Sequence, residues 1–304
     1  MSSTSVVKID PKKLLAGAQL PALPQSAIRL LELSQDPDNG PSDFTVPIES
    51  DPGLAGQVLR FVNSSYFGFS REISSVKLAI TLVGIRTIKN FALWSAVFSL
   101  MPNPRCGPFD LKSLWQDSLR RALFARAIAR LLGLKEPEEP FAAALLQDMA
   151  VPLLAKEVPQ LYEKLLETRE RGVRLSALEE QVCGWTHAEA GGIMARGWNL
   201  PESFAVLVES HLAIERWACQ PEAEADKLSV ALSALLPCAA DPSWGERATF
   251  EEYYQKICPP GGPSVSEILA QIDDEFTEFA PLLKLAAPTK SLVDYHSEAV
   301  AADS

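Results

Sequence analysis

The stretch Asp51–Leu100 constrains the fold of this chain more than any other, because consecutive helix start and stop signals crowd into fifty residues. Asp51 is suited to cap a helix, and Pro52 to its first position, where a missing N–H costs nothing. Leu54, Val58 and Phe61 then recur at helical spacing. Asn63-Ser64-Ser65, followed by Gly68, closes that helix in a polar turn. Ser75 can cap a second helix with Val76, Ala79, Ile80 and Val83 on one face, stopped by Gly84. Ile85, Ile88, Phe91, Ala92 and Ser95 open a third. Its apolar run, Phe91–Met101, is well short of the roughly 20 residues of a membrane span and reads as a deep core helix.

The rest of the chain continues in the same manner. Pro11 starts a short helix, Leu20–Leu33 forms another, and Gln35–Pro41 is a loop. Met101–Pro108 is the clearest break. Beyond it, helices are predicted over Leu111–Leu132 (stopped by Gly133), Phe141 to Lys156 in one piece with Pro152 near its end, Leu161–Arg171 and Ala177–Val182. Thr186 and Glu189 form a capping box for a helix to Trp198, and Pro201 starts one that reaches His211. Lys227–Ala239 and Ser266–Leu285 are amphipathic, and the polar Thr289–Ser304 reads as a frayed tail. No sustained apolar-polar alternation occurs, so the expected fold class is all-α.

The opening stretch closely resembles the signature region of the HDOD family, bacterial signal-transduction modules related to the HD-type metal phosphohydrolases. The shared pattern is an Asp-Pro-x-Leu helix, an Asn-Ser-x-Tyr-(Phe/Tyr)-Gly turn and a Ser-x-x-x-Ala-Ile-x-x-(Leu/Val)-Gly helix, and all three stand here in order. The resemblance implies a two-lobed helical fold with an HD/phosphodiesterase-like second lobe. It places the HDOD domain at residues 18–216, the first lobe ending near 103 and the second beginning near 108. Residues 1–17 are an N-terminal segment, 217–288 are helices expected to pack on the second lobe, and 289–304 the tail.

HD enzymes hold metal through a His on one helix, an adjacent His-Asp pair and a later Asp, and the metal makes a bound water acidic enough to attack a phosphate. Here Asp117 stands at the first His position and Gln147 at the second; Asp148 keeps the carboxylate. A neutral amide is a poor ligand for a catalytic transition metal. The resemblance therefore implies no catalytic residue, cofactor or metal, with Asp117, Gln147 and Asp148 as vestigial positions. His187 and His211 match histidines common in the family and would make a residual metal or anion site with Asp148. The sequence favours the plainer reading, in which His187 begins a helix and His211 ends one against its dipole. Cys183, four residues before His187, reads as a buried thiol. Asn63, Ser64 and Tyr66 read as a hydrogen-bonded turn, or alternatively as a recognition cleft for a ligand or partner.

Lys and Arg number 28 against 39 Asp and Glu, a net charge of −11 that argues against nucleic acid as partner. The one local cluster, Arg120, Arg121, Arg126 and Arg130, reads as a solvated helix face. No leader opens the sequence and its five cysteines include no C-x-x-C, which points to a reducing cytoplasm without membrane insertion. The reading that follows is a non-enzymatic regulatory module. Its partners would be signalling proteins of a two-component or cyclic-dinucleotide pathway, with input and output domains on other proteins. Alternatives are a metal-dependent phosphohydrolase with altered ligands and a nucleotide or small-molecule sensor.

Overall fold

The computed structural model describes residues 10–17, 20–33, 36, 38–64, 67–168, 173–221, 223–239 and 241–302, and every regular element among them is helical. In chain order the helices are α1 (Pro11–Gly17), α2 (Gln25–Leu33), α3 (Pro41–Glu49), α4 (Pro52–Val62), α5 (Val76–Val83), α6 (Ile85–Leu100), α7 (Leu111–Leu131), α8 (Glu138–Leu146), α9 (Ala150–Glu157), α10 (Pro159–Glu167), α11 (Leu175–Cys183), α12 (His187–Gly197), α13 (Glu202–Glu209), α14 (Ile214–Trp217), α15 (Ala225–Ser233), α16 (Arg247–Ile257), α17 (Val265–Phe279) and α18 (Leu292–Ala302). A 3₁₀ turn, Ala280–Leu283, follows α17. The chain divides into two compact units, a smaller one of Pro21–Leu100 with Glu275–Ala286, and a larger one of Met1–Leu20, Met101–Asp274 and Ala287–Ser304.

In the smaller unit the end signals act where they stand. Asp51 accepts from the Leu54 N–H at 3.0 Å to start α4, and Ser75 accepts from the Leu78 N–H at 3.3 Å to start α5. Gly84, at φ +90°, takes the sharp turn into α6. Phe61 stacks on Phe91 with ring centroids 4.2 Å apart and meets Phe279 edge-on at 5.6 Å. That contact belongs to Glu275–Ala286, which the sequence reading packs on the other lobe with the rest of 217–288. The apolar side chains Phe276, Phe279 and Leu283 are buried in the smaller unit instead. Helix α3 lies where the sequence reading assigns no element, and Thr45, Val46 and Pro47 are poor helix formers. Asp43 accepts from the Gly40 N–H at 2.9 Å, and burial of Phe44 and Ile48 outweighs those propensities.

The larger unit is built on α7, which is covered by both α8 and α15. Double coverage overturns the solvated arginine face. Arg130 is half exposed, but Arg120, Arg121 and Arg126 are buried. Arg120 donates to the Lys290 carbonyl and lies 3.7 Å from Asp273, and Arg126 sits 4.8 Å over the Phe141 ring. Nor is the described part of 289–304 frayed: α18 buries Leu292 and Tyr295. Asp273 accepts from the N–H groups of Leu292 and Val293, each at 3.1 Å, and caps α18 from another helix. The Tyr295 hydroxyl reaches the carbonyls of Cys238 and Asp241 at 3.1 and 2.8 Å. No helix among the described residues is long and apolar enough to cross a membrane.

Candidate functional site

The site begins with an interruption. A single helix is predicted from Phe141 to Lys156, and the structure divides it at Gln147–Met149 into α8 and α9. Pro152 explains the break: it has no N–H to return to the Asp148 carbonyl, so it takes the third position of α9, where such groups are unbonded anyway. Tight bonds from the Met149 N–H to Leu146 O and from the Val151 N–H to Asp148 O, both 3.0 Å, close the turn. Asp148 is thereby carried by a bend between helices.

Three other segments converge on it. Asp117 and Arg121, four residues apart, share a face of α7. The Arg121 guanidinium donates to Asp148 Oδ2, and its other terminal nitrogen lies 2.9 Å from Cys238 Sγ. His187 is the first residue of α12, so its own N–H is free of the helix; it donates to Glu179 Oε2 at 2.8 Å, and His187 Nδ1 lies 2.7 Å from the same oxygen. Tyr162 donates to the other Glu179 oxygen at 2.6 Å. His211 follows α13 by two residues, with Nδ1 2.7 Å from the Val208 carbonyl. A Cβ on Gly191 would lie 2.8 Å from Val208 Cγ1, and one on Gly192 2.8 Å from Glu209 Cβ. The glycine pair thus lets α12 approach α13 closely, and the His187 and His211 rings stand 5.3 Å apart.

Both rings face one carboxylate oxygen: His187 Nε2 is 3.2 Å and His211 Nε2 3.7 Å from Asp148 Oδ1. Asp148, His187 and His211 are all buried. Burial opposes ionisation of Asp148, but Arg121 first and then the two histidines hold it well below the usual carboxylate range. Burial also opposes charge on His187, yet Glu179 and Asp148 on either side raise it to about 10. His211 goes the other way, to about 3, because burial and the neighbouring His187 outweigh Asp148. Asp117 is pushed up to about 7 by burial, although Arg121 and the Ala239 N–H, 2.9 Å from its Oδ1, favour its charge.

Asp117, Arg121, Gln147, Asp148, His187 and His211 all line one cavity of about 330 Å³. The vestigial positions and both histidines named from sequence are therefore brought together. His187 begins α12 and His211 meets the Val208 carbonyl at the end of α13, as the local helix roles expect, and both rings in addition face Asp148. Arg121 and Glu179 carry no mark in the sequence; charged residues on helices are ordinarily solvated, and only the fold shows these two buried. The Cys183 thiol is raised to about 11, by burial first and then by Glu179, the reverse of an activated nucleophile. Asn63 and Ser64 belong to the smaller unit. The Asn63 amide donates to Ile73 O at 2.7 Å and accepts from the Ile73 N–H at 2.6 Å, while the Ser64 hydroxyl donates to Phe61 O at 2.7 Å. Tyr66 lies outside the described residues.

An all-helical chain that carries the Asp-Pro-x-Leu, Asn-Ser-x-Tyr and Ser-x-x-x-Ala-Ile elements in order defines a class, the helical domains of HDOD type. The HDOD domain profile matches residues 20–214, and the chain belongs to the HDOD family. It is 25% identical over 194 residues to an uncharacterized protein of Treponema pallidum (strain Nichols), a match covering 63% of this chain and 37% of that protein. It is 29% identical over 136 residues to the uncharacterized protein YuxH of Bacillus subtilis (strain 168), covering 45% of this chain and 32% of YuxH. The matches thus span about a third of the length of these curated relatives. Among solved structures, an HDOD domain protein of unknown function from Geobacter sulfurreducens shares the fold with a TM-score of 0.71 at 22% identity, over 91% of this chain and 97% of that one. A protein from Marinobacter aquaeolei VT8 named for signal transduction gives 0.64 at 19% identity, over 93% of this chain and 66% of that one. One from Shewanella amazonensis SB2B named as a metal-dependent phosphohydrolase gives 0.62 at 18%, over 90% and 94%.

Proposed function

We propose that the chain is a regulatory module of bacterial signal transduction that acts by binding signalling proteins and does not hydrolyse phosphate esters. The observation that carries this reading is the Arg121–Asp148 pair. Hydrolysis in the HD manner needs a metal-held water, and the ligands that would hold the metal are altered. One oxygen of Asp148 is taken by a guanidinium, Gln147 offers a neutral amide, and Asp117 accepts from the Ala239 N–H. The name of the Marinobacter protein supports a signalling role, and the family allows partners from two-component or cyclic-dinucleotide pathways. A cytoplasmic setting fits free cysteines in varied surroundings.

A second reading, a phosphohydrolase with altered ligands, is favoured by the convergence of Asp148, His187 and His211. One assay separates the two. The full chain, supplied in turn with Mn²⁺, Fe²⁺ and Zn²⁺, is given phosphomonoesters, phosphodiesters and cyclic dinucleotides. The regulatory reading expects no turnover above that of Asp148→Ala. Metal-dependent turnover that disappears in Asp148→Ala would establish the hydrolase instead.

A further inference from the structure

We propose that Asp148, His187 and His211 bind one divalent transition-metal ion of the zinc class, with Glu179 and the Val208 carbonyl as the groups that aim the two imidazoles. The donor set differs from that of the HD enzymes, because positions 117 and 147 supply no histidine and two later histidines take their place. Phosphate hydrolysis is a separate question, since an ion here serves equally to tie the fold together or to receive a ligand.

Ring orientation and donor spacing carry the argument. An imidazole ligates through one nitrogen when the other donates its proton to a carboxylate or a backbone carbonyl, and such partners fix the ring. Both partners are present: Nδ1 of His187 faces Glu179 Oε2 at 2.7 Å, and Nδ1 of His211 faces Val208 O at 2.7 Å. Each ring is thus left with Nε2 toward the same oxygen of Asp148, while Arg121 occupies the other oxygen. The spacing suits an ion. Zinc–nitrogen and zinc–oxygen bonds of about 2.0–2.2 Å in a tetrahedron put neighbouring donors about 3.4 Å apart. The two nitrogen-to-oxygen separations here are 3.2 and 3.7 Å, and the three donor atoms lie within 4.8 Å of one another. Two imidazoles and one carboxylate are the ligand types that suit zinc, iron and their neighbours. The ligands come from the α8–α9 turn, the start of α12 and the turn after α13, so an ion would join three segments of the larger unit. All three line the cavity, which supplies an entry path.

The test is metal binding by the full chain, stripped with a chelator and titrated with Zn²⁺ by calorimetry and with Co²⁺ by visible absorption. About one equivalent is expected, together with a rise in thermal midpoint on Zn²⁺ addition, because the ion binds only the folded state. His187→Gln and His211→Gln each lower affinity by about 100-fold or more, and Glu179→Gln, which keeps all three ligands, by about 10–100-fold. His296→Ala, at the remaining histidine, leaves binding unchanged. X-ray absorption of the Zn²⁺ form shows two imidazole ligands, a readout that needs no variant to fold. Less than one equivalent in the wild type, undiminished affinity in both histidine variants, or a spectrum without imidazole overturns the site. Because binding and turnover are read separately, failure here leaves the regulatory reading standing.

Discussion

Arg121 and Asp148 illustrate how much one residue pair can decide. Both side chains are more than nine-tenths buried, and each supplies the charge that the other requires. Removing one member leaves an uncompensated ion in the core, which costs about 3–5 kcal/mol. Arg121→Met is therefore expected to lower the free energy of unfolding by that amount in urea, and Arg121→Met with Asp148→Leu to recover much of it. Asp117 gives a pH signature. Its folded pKa of about 7 lies above the ordinary 3.8, so the folded state binds the proton more tightly than the unfolded state. The sign follows: this contribution is present in full below the unfolded pKa and is lost as pH rises through the folded value, at up to about 1.4 kcal/mol per pH unit. Denaturation at several pH values should show a wild-type advantage over Asp117→Asn that shrinks between pH 4 and 7. A pH-independent difference between the two proteins would show that Asp117 does not titrate in this window.

Among the elements, contact between α12 and α13 depends on the absence of side chains at Gly191 and Gly192. Gly191→Ala would press a methyl against Val208, and overpacking of this kind costs about 1–3 kcal/mol. The expected result is a lower thermal midpoint, with a nuclear magnetic resonance shift change at both histidine rings. In the smaller unit, Asn63→Ala breaks two bonds to the Ile73 backbone and should cost about 1–3 kcal/mol by chemical denaturation. How much of each element was legible depends on whether its cause is local. The caps at Asp51 and Ser75, the glycine turn at Gly84 and the capping-box Glu189, which accepts from the Thr186 N–H at 2.9 Å, act within a few residues and are visible in sequence. Helix α3 and the α8–α9 break were not. Burial of Phe44 and Ile48 outweighs local propensity in the first case. In the second, Pro152 reads equally well as the end of one helix or the start of the next.

At the scale of the whole molecule, the larger unit is assembled from three separate stretches of chain, so its last helix is part of its core. Deleting residues 289–304 removes the fully buried Leu292, the Tyr295 bonds to Cys238 and Asp241 and the carbonyl that receives Arg120. The loss of Leu292 alone is worth about 2–5 kcal/mol. The truncated chain is expected to melt well below the full one in calorimetry, and an unchanged melting temperature would show that α18 is dispensable.

The sequence by itself determined the all-α class, the family, and the five positions Asp117, Gln147, Asp148, His187 and His211, because helix caps, turn glycines and aligned motifs are short-range features. Tertiary structure alone decided that these positions form one site. Arg121 meets Asp148 from 27 residues away, and His211 lies 63 residues beyond Asp148 in the chain yet 3.7 Å from it in space. A charge on a helix is solvated or buried according to what packs over it: α8 and the distant α15 cover the helix of Arg121, and α10 and α12 flank that of Glu179.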